Sequence, residues 1–470
     1  MSTNWKKLYE NSQVEKPSAE CTEYAEVQQI QTRGCPSANG NENHVFRIDP
    51  IYPTRRRLVT AEAVRKGHPD KCCDKIADNI LDEILRQDPN GRAAIEVMVS
   101  RGKVLIAGEV HAKAKVDYRA IAMDTFDSIG YNWKDICRTQ NEHLDIEEQI
   151  NEQSEDIAQA VVNENLKSGI GAGDQSIVVG YATDENDEYM PWPVVIAQRI
   201  CRYLDDHYRD DPRIGKDGKV LVSMFYRENT PDQVQTIVVS MQHGENVTIQ
   251  TLRRIAWEAV KASVPDRFMM RRFRVVVNPS GKFVLGGPVA DTGLTGRKLA
   301  VDQYGPVAHI GGGALSGKDA TKVDRSGAYA ARWIAKNLVR AGLCRRCEVT
   351  LIYVIGQEKP MAVTLNSFGT GEFSDIKLAE LITRAFDLRI SSVIEQLHLK
   401  EPIYGRLAAY GHFGRNDLKL SWEECDMEQA IMEVMLDMQA EEQEKNAALT
   451  SGETQLQNEA YDGGGACVKE

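Results

Sequence analysis

The chain has 470 residues and carries 57 lysines and arginines against 69 aspartates and glutamates, a formal net charge of −12. This length allows several domains, and this acidity argues against a general binder of nucleic acid or of membrane surfaces. No run of eighteen or more apolar residues occurs, and the N-terminus lacks the apolar core of a secretory signal. We therefore expect a cytoplasmic protein in which any polyanionic ligand is held by a local basic cluster.

Both ends of the chain are polar and irregular. Residues 1–55 and 431–470 lack the apolar content that would offset the entropy of ordering them, so we predict a disordered tail at each end. Between the tails the sequence divides into an N-terminal segment 56–165, a central segment 166–287 and a C-terminal segment 288–430.

One pattern of elements recurs three times between the tails. Helices predicted near 71–87, 192–208 and 326–341 open the copies, and helices near 117–130, 248–263 and 376–388 close them. The hairpin inside each copy begins near residue 93, 219 or 347, at spacings of about 126 and 128 residues. Such even spacing predicts three similar α+β domains. Because apolar residues alternate imperfectly along the strands, we expect both sheet faces to be covered, one by helices and one by another sheet.

Two glycine-containing stretches precede regular elements. "GHPDKCCDK" places His68, Asp70 and Lys71 at the start of a helix, where Asp is a good cap and an anion is favoured. Alone it reads best as a capped helix start, although these residue types also suit a Mg²⁺-phosphate site. "GIGAGDQS", which ends at Ser176, is on its own an ordinary tight turn before the strand "IVVGYA".

A third stretch, "GGPVADTGLTGRK", ends at Lys298. Its glycines leave the backbone free to approach a ligand closely, and Asp291 could take a hydroxyl or an amino group. Arg297 and Lys298 are adjacent donors that suit phosphate oxygens. This stretch is therefore predicted to bind a phosphorylated ligand.

The fourth stretch, "GGGALSGKDATKVDRS", has nearly the spacing of a P-loop. It carries Asp319 where a P-loop needs a Ser or Thr hydroxyl for Mg²⁺. Lys318 and Lys322 are four residues apart and would share one helix face. We predict a polyphosphate role for this loop, with Asp319 orienting a lysine or capping the next turn.

The four stretches together indicate a site for a triphosphate with magnesium. Its candidate cations are His68, Arg297, Lys298, Lys318 and Lys322, and its candidate carboxylates are Asp70, Asp291 and Asp324.

Five motifs, in this order, resemble those of the S-adenosylmethionine synthetase family: "GHPDK", "GAGDQ", "GGPVADTGLTGRKLAVDQYG", "GGGALSGKDATKVDRSGAYAAR" and "AAYGHFGR". The resemblance runs from about Arg57 to Asn416. It implies three similar α+β domains in a pseudo-threefold arrangement, each a mixed sheet with helices on one face. It also implies a homodimer or a dimer of dimers with shared active sites. The implied reaction joins L-methionine to ATP and releases triphosphate, which is hydrolysed to diphosphate and phosphate.

The resemblance further implies roles for single residues. Matches to catalytic positions are His68, Lys219, Arg297, Lys318 and Lys322. Matches to ATP contacts are His68, Asp217, Gly218, Lys219, Lys282, Phe283, Asp291, Arg297, Lys298, Ala314 and Lys318. Matches to methionine contacts are Glu109, Gln153, Asp291 and Lys322. Glu62, Asp70 and Asp324 match positions that serve two Mg²⁺ ions per site, and Glu96 matches a K⁺ ligand. The stretch from Gln153 to about Gly169 resembles the loop that closes the site.

Several positions depart from the family pattern, namely Arg65, Lys66, Glu155, Ser176, Ala290, His309, Ile310 and Leu315. Because of them a non-catalytic paralogue that keeps the fold stays open as an alternative to an active enzyme. A P-loop phosphotransferase is a third possibility, disfavoured by Asp319 and by the absence of a strand–loop–helix pattern with a parallel sheet. A zinc or redox role for the lone "CRRC" is weakly indicated.

Overall fold

The computed structural model describes residues 56–137, 144–152 and 170–462. Within these ranges the strands are β1 (Arg56–Val64), β2 (Arg92–Ser100), β3 (Lys103–His111), β4 (Asp145–Glu152), β5 (Ser176–Thr183), β6 (Ile214–Arg227), β7 (Thr230–His243), β8 (Arg274–Val277), β9 (Gly293–Leu294), β10 (Arg346–Tyr353) and β11 (Ala362–Asn366). The helices are α1 (Pro69–Gln87), α2 (Tyr118–Ile129), α3 (Trp133–Ile136), α4 (Trp192–His207), α5 (Ile249–Ser263), α6 (Asp266–Met269), α7 (Leu299–Asp302), α8 (Val323–Arg340), α9 (Asp375–Ala385), α10 (Ile390–Gln396) and α11 (Glu428–Asp462).

The three predicted helix–hairpin–helix copies are confirmed. Their hairpins are β2–β3, β6–β7 and β10–β11, and each is antiparallel. Their opening helices are α1, α4 and α8, and their closing helices are α2, α5 and α9. The predicted N-terminal tail and the predicted loop from Gln153 to Gly169 lie outside the described residues.

The three sheets exchange strands in a cycle. Strand β1 of the N-terminal segment joins the central hairpin in a sheet of order β1-β6-β7-β8. Strand β5 of the central segment joins the C-terminal hairpin in the order β11-β10-β5, and β9 of the C-terminal segment completes β4-β3-β2-β9. Each segment thus gives its first strand to the next sheet, as a pseudo-threefold arrangement requires. The sheets at β7–β8 and β3–β4 are mixed, because these pairs are parallel, whereas the pairs of the third sheet are antiparallel.

One long helix packs on each sheet, against both the hairpin and the donated strand. Helix α1 packs on β2 and β9, α4 on β1 and β6, and α8 on β5 and β10. The apolar face predicted for α1 is buried, with Ile76, Ile80 and Ile84 inaccessible to solvent. Strand β5 approaches α8 so closely that a Cβ at Gly180 would lie 2.0 Å from the carbonyl of Ala331. This contact explains the glycine in the middle of a strand.

The prediction of a disordered C-terminal tail is wrong for residues 431–462, which belong to α11. Ile431 and Met438 of this helix are buried, and Met435 packs against the core. Glu441 pairs with Arg384 and Glu442 with Lys377, both on α9. The prediction rested on the polar average composition of the tail and overlooked the apolar residues Ile431, Met435 and Met438, which recur at helical spacing. Among the described residues, no helix is long and apolar enough to cross a membrane.

Candidate active site

The first part of the site lies at the N-terminus of α1. His68 is the N-cap, and its Nδ1 accepts a hydrogen bond of 3.2 Å from the backbone N–H of Asp70. Burial, followed by the positive charge of Lys298, lowers the pKa of His68 to about 4. The imidazole is therefore neutral near pH 7 and carries its proton on Nε2, which makes it a hydrogen-bond donor at that atom.

Asp70 forms ion pairs with both predicted cations of the stretch that ends at Lys298, namely Arg297 and Lys298. Its Oδ1 accepts from the N–H of Leu294 at 3.0 Å and lies 3.3 Å from Nε of Arg297. Its Oδ2 is paired with Nζ of Lys298. Burial alone would raise the pKa of Asp70, but the hydrogen bonds from Lys298 and Leu294 outweigh it and lower the pKa. The close approach requires Gly293, since a Cβ there would lie 2.2 Å from the carbonyl oxygen of Pro69.

Pairing of β1 with β6 brings the next residues beside this group. Lys219 lies opposite Val64, and its Nζ is 3.2 Å from Oε2 of Glu62. The charge of Lys219 is also among those that lower the pKa of His68. Asp217 is buried and accepts the N–H of Gly287 at 2.9 Å. The carbonyl of Gly218 accepts the N–H of Arg65 at 2.9 Å.

Lys318 and Asp324 form the centre of the second part of the site. Nζ of Lys318 donates to Oδ2 of Asp324 at 2.6 Å, and Oγ of Ser176 donates to Oδ1 at 2.6 Å. A Cβ at Gly313 would lie 2.1 Å from Cγ of Asp324, so the glycine run allows the loop to pass over this carboxylate. The contact of Ser176 was not predicted. The only signal for it in the sequence is its position directly after "GAGDQ".

Asp319 has the structural role that the sequence suggested. Its Oδ2 pairs with Nζ of Lys322 and accepts the N–H of Ala93 at 2.8 Å. Its Oδ1 accepts the N–H of Thr321 at 2.8 Å. Asp319 thus orients a lysine and caps a turn at the same time, and it does not stand in for a P-loop hydroxyl.

Two predicted carboxylates, Glu96 and Glu109, lie on the β2–β3 hairpin, next to which Lys318 is placed. The backbone of Lys318 forms a bridge with Ala94 of β2, and Ala94 lies opposite Glu109 of β3. Glu96 is two residues further along β2, where partial burial raises its pKa and the charge of Lys318 opposes that rise. Glu96 therefore lies within the influence of the charge of Lys318, whereas Glu109 is one strand further away, on β3.

Four further predicted residues, Lys282, Phe283, Asp291 and Ala314, belong to the described part of the chain. Phe283 is held by β7, because its N–H donates to Nε2 of His243 at 3.0 Å and its carbonyl accepts the N–H of His243 at 2.9 Å. Lys282 and Asp291 are exposed, and Ala314 lies against Gly296, where a Cβ would be 2.6 Å from the Cβ of Ala314. Gln153 lies outside the described residues.

Three family models match the chain one after another. The N-terminal domain of S-adenosylmethionine synthetase matches residues 56–155, the central domain 169–283 and the C-terminal domain 285–424. The chain belongs to the S-adenosylmethionine synthetase family. The resemblance stated from the motifs is thereby confirmed.

Curated relatives support the same assignment across nearly their whole length. The S-adenosylmethionine synthase of Clostridium tetani is 46% identical over 386 residues, which cover 78% of this chain and 97% of that protein. Those of Staphylococcus epidermidis and Desulforudis audaxviator are 44% and 45% identical, each over 79% of this chain and 96% of the relative. These matches support S-adenosylmethionine synthesis as the activity of this family member.

The structure also disfavours the P-loop alternative. The segment before the glycine-lysine loop contains the 3₁₀ turn Gly305–Val307, whereas a P-loop follows a strand. The loop instead leads into α8 from a bridge with β2 of another sheet. In this synthetase family member the loop is thus built differently from that of a P-loop nucleotide hydrolase.

Several departures from the family pattern have structural roles. Arg65 is buried, and its Nη2 lies 2.8 Å from Oδ1 of Asp205. His309 hydrogen-bonds to Glu348 at 2.9 Å with its ring largely exposed, and Leu315 is in the core. None of these three replaces a predicted ligand of the site.

Proposed function

We propose that this chain is an ATP:L-methionine S-adenosyltransferase. The methionine sulfur attacks C5′ of ATP in line, and the whole triphosphate leaves and is hydrolysed to diphosphate and phosphate before the product departs. The supporting observation is a set of ion pairs between the residues predicted to bind triphosphate and the carboxylates predicted to bind metal. Lys298 and Arg297 pair with Asp70, and Lys318 pairs with Asp324. Basic side chains that can bind triphosphate thus lie directly beside carboxylates that can bind its Mg²⁺ ions.

These ion pairs could exchange partners when a magnesium–nucleotide complex binds, with Mg²⁺ taking the carboxylates and the phosphates taking the lysines. Mg²⁺ prefers one or two carboxylates completed by phosphate oxygens and water, rather than a cage made by protein alone. Among the described residues no three acidic, His or Cys groups form such a cage. Asp70, Asp324 and Glu62 would hold two Mg²⁺ ions, which when bound neutralise charge on the phosphate oxygens. The lysines released from the carboxylates would then contact the triphosphate.

His68 is placed to assist the leaving group. Its Nδ1 is occupied by the N–H of Asp70, so Nε2–H is the donor that would face the departing C5′ oxygen. A neutral donor in a buried site stabilises developing negative charge without a change in its own protonation. The chain otherwise acts by holding sulfur and C5′ in line, and no covalent protein intermediate is required.

The two substrates would be held by groups on either side of the triphosphate. Asp217, Gly218, Lys219, Lys282, Phe283, Asp291 and Ala314 would bind the nucleoside end of ATP, with Phe283 stacking on adenine. Glu109, Gln153, Asp291 and Lys322 would bind methionine. Glu96 would bind K⁺, for which a single carboxylate beside a phosphate loop is a suitable hard ligand.

We also propose a homodimer or a dimer of dimers with shared active sites in the cytoplasm, with no nucleic acid or membrane as partner. Each donated strand carries an exposed apolar residue: Leu58 of β1 is 45% exposed, Ile177 of β5 57% and Leu294 of β9 37%. Exposed apolar residues on sheets favour burial against another subunit. Sedimentation and a subunit-mixing assay with two complementing inactive variants would test this assembly.

Identification of the products tests the reaction. With ATP labelled at the γ-phosphate, methionine, Mg²⁺ and K⁺, we expect S-adenosylmethionine, diphosphate and phosphate in equal amounts, with the label mainly in phosphate. Omission of methionine is the control, and it should abolish nucleotide consumption. ADP formed without methionine would contradict the proposal and favour a phosphotransferase, whereas nucleotide binding without turnover would favour a non-catalytic paralogue.

A further inference from the structure

Helix α1 carries a row of aspartates at every fourth position, Asp70, Asp74, Asp78 and Asp82. Residues four apart lie on one face of a helix, so the four carboxylates form a single line along α1. All four side chains are buried. We call this row the aspartate ladder.

Every member of the aspartate ladder accepts backbone N–H groups from a loop of another segment. Asp70 accepts from Leu294 at 3.0 Å and Asp74 from Gly296 at 2.8 Å. Asp78 accepts from Gly317 at 2.8 Å. Asp82 accepts from Tyr404 and Gly405, each at 2.8 Å.

The spacing of the ladder matches the loop that ends at Lys298. Four residues of α-helix advance about 6 Å, and two residues of extended chain advance about 6.6 Å. Asp70 and Asp74 can therefore hold the alternate amides of Leu294 and Gly296 along a short extended segment. Arg297 and Lys298 follow directly, so the direction in which they leave the strand is set by the ladder.

Asp78 fixes the second loop in the same way. Both backbone groups of Gly317 are hydrogen-bonded. Its N–H donates to Asp78, and its carbonyl accepts the N–H of Ile95 at 2.9 Å. Gly317 has a φ of +79°, and a Cβ there would lie 2.1 Å from the carbonyl oxygen of Ile95. Lys318 is the next residue, and its carbonyl accepts Nη1 of Arg325 at 3.1 Å.

The aspartate ladder by itself should lower the stability of the folded protein. Like charges four residues apart destabilise a helix, and buried carboxylates lose hydration. Basic side chains pair with three of the four aspartates, Lys298 with Asp70, Lys71 with Asp74 and Arg325 with Asp78. An apolar face would pack this helix more simply, which favours a positional role for the ladder.

We infer that Asp74 and Asp78 are positioning residues for the reaction, which set the two triphosphate loops relative to the N-terminus of α1. This inference rests on the proposed function, because Arg297, Lys298 and Lys318 act on triphosphate only if that function holds. Asp74 and Asp78 are fully buried, so they would act through the backbone of Gly296 and Gly317 and not by contact with the substrate.

Replacement by asparagine tests the inference, with Asp82 as the matched control. In Asp74→Asn and Asp78→Asn one oxygen becomes an NH₂ group, which must face either the loop amide or Lys71 or Arg325, all of them donors. A displacement of about 1 Å in such a loop can lower kcat/KM about 100-fold. Asp82→Asn creates the same donor conflict at a loop that carries none of the predicted site residues, so its kcat/KM should stay within about threefold.

A second measurement does not depend on turnover. The dissociation constant of tripolyphosphate, measured by calorimetry with Mg²⁺ and the imido-bridged analogue of tripolyphosphate, whose P–N bonds the site does not hydrolyse, should rise at least about tenfold in Asp74→Asn and Asp78→Asn and stay unchanged in Asp82→Asn. Because neither methionine nor adenosyl transfer is involved, a failure of the proposed reaction leaves this result readable. Thermal unfolding of all three variants shows whether their folds are retained.

Two results would overturn the inference. One is equal loss in all three variants, which would make the ladder a purely structural device of α1. The other is wild-type tripolyphosphate binding in folded Asp74→Asn and Asp78→Asn. If these variants do not fold, amide hydrogen exchange of the wild-type protein decides instead. Rapid exchange at Gly296 and Gly317 would show that the ladder does not hold the loops, and slow exchange at both is the supporting result.

Discussion

Replacement of Lys318 by methionine is the sharpest test of the triphosphate loop. Nζ of Lys318 lies 2.6 Å from Oδ2 of Asp324, and each side chain is 20% exposed. Asp324 keeps the hydrogen bond from Ser176 in the variant, so the free energy of unfolding should fall by about 2 kcal/mol, the value of one hydrogen bond to a charged group. Loss of one charged donor to the leaving group should instead cost about 3–4 kcal/mol of transition-state stabilisation, or about 10²–10³ in kcat.

The assay is the rate of S-adenosylmethionine formation at saturating ATP, methionine and Mg²⁺, together with the Tm of each protein. Lys377→Met is the matched control, because Lys377 pairs with Glu442 on the surface between α9 and α11. An exposed ion pair contributes little, so this variant should keep kcat within about twofold.

Near wild-type kcat in Lys318→Met would refute the reasoning, because the lysine would then serve only Asp324. Loss of kcat that follows a large fall in Tm would also count against it, since the ion pair would then be mainly structural.

Three further predictions follow from single carboxylates. Asp70→Asn keeps the shape of the side chain but loses its negative charge, so activity should fall steeply and titration with Mg²⁺ should recover only part of it. Ser176→Gly removes one hydrogen bond from Asp324, so the Mg²⁺ concentration for half-maximal rate should fall; no change would show that this oxygen is not a metal ligand. Burial raises the pKa of Asp82 from 3.8 to about 6. The native carboxyl therefore holds its proton more tightly than the unfolded one, and about 3 kcal/mol of stability is lost as pH rises from about 4 to 6. In chemical unfolding, that pH dependence should be absent in Asp82→Asn.

The elements with strong periodicity could be predicted from the sequence, and their partners could not. Ile76, Ile80 and Ile84 mark α1 as a helix whatever it packs against. That β1 pairs with a hairpin more than 150 residues away is a long-range choice that no local pattern encodes. Strand β9 has only two residues, and it exists because the loop is held between β2 and α1.

The site followed the same division. Glycines next to lysine or arginine predicted the phosphate loops. Glycines carry an entropic cost on folding, so a run of them beside basic residues suggests close approach of the backbone to an anion. The long-range partners were not predictable, since Asp70 pairs with Lys298, and Asp319 accepts the N–H of Ala93, across more than 220 positions. The local pair of Asp319 with Lys322 is the one that the sequence suggested. The contact of Ser176 with Asp324 depends likewise on the packing of β5 against α8.

The ion pairs of the site, one long-range and two local, explain how an acidic chain can hold a polyanion. With a net charge of −12, an exposed basic cluster would be drawn to carboxylates at random. The fold instead gives each of three lysines its own carboxylate: Lys298 pairs with Asp70, Lys318 with Asp324 and Lys322 with Asp319. A triphosphate that arrives with Mg²⁺ carries its own counter-charge for Asp70 and Asp324, so it can release those two lysines without leaving a carboxylate bare. Lys322 has no such release, because its partner Asp319 is not one of the predicted metal carboxylates and binds the backbone of Ala93 and Thr321 instead. That difference suits Lys322 to a substrate that carries no metal, as the proposed methionine contact requires.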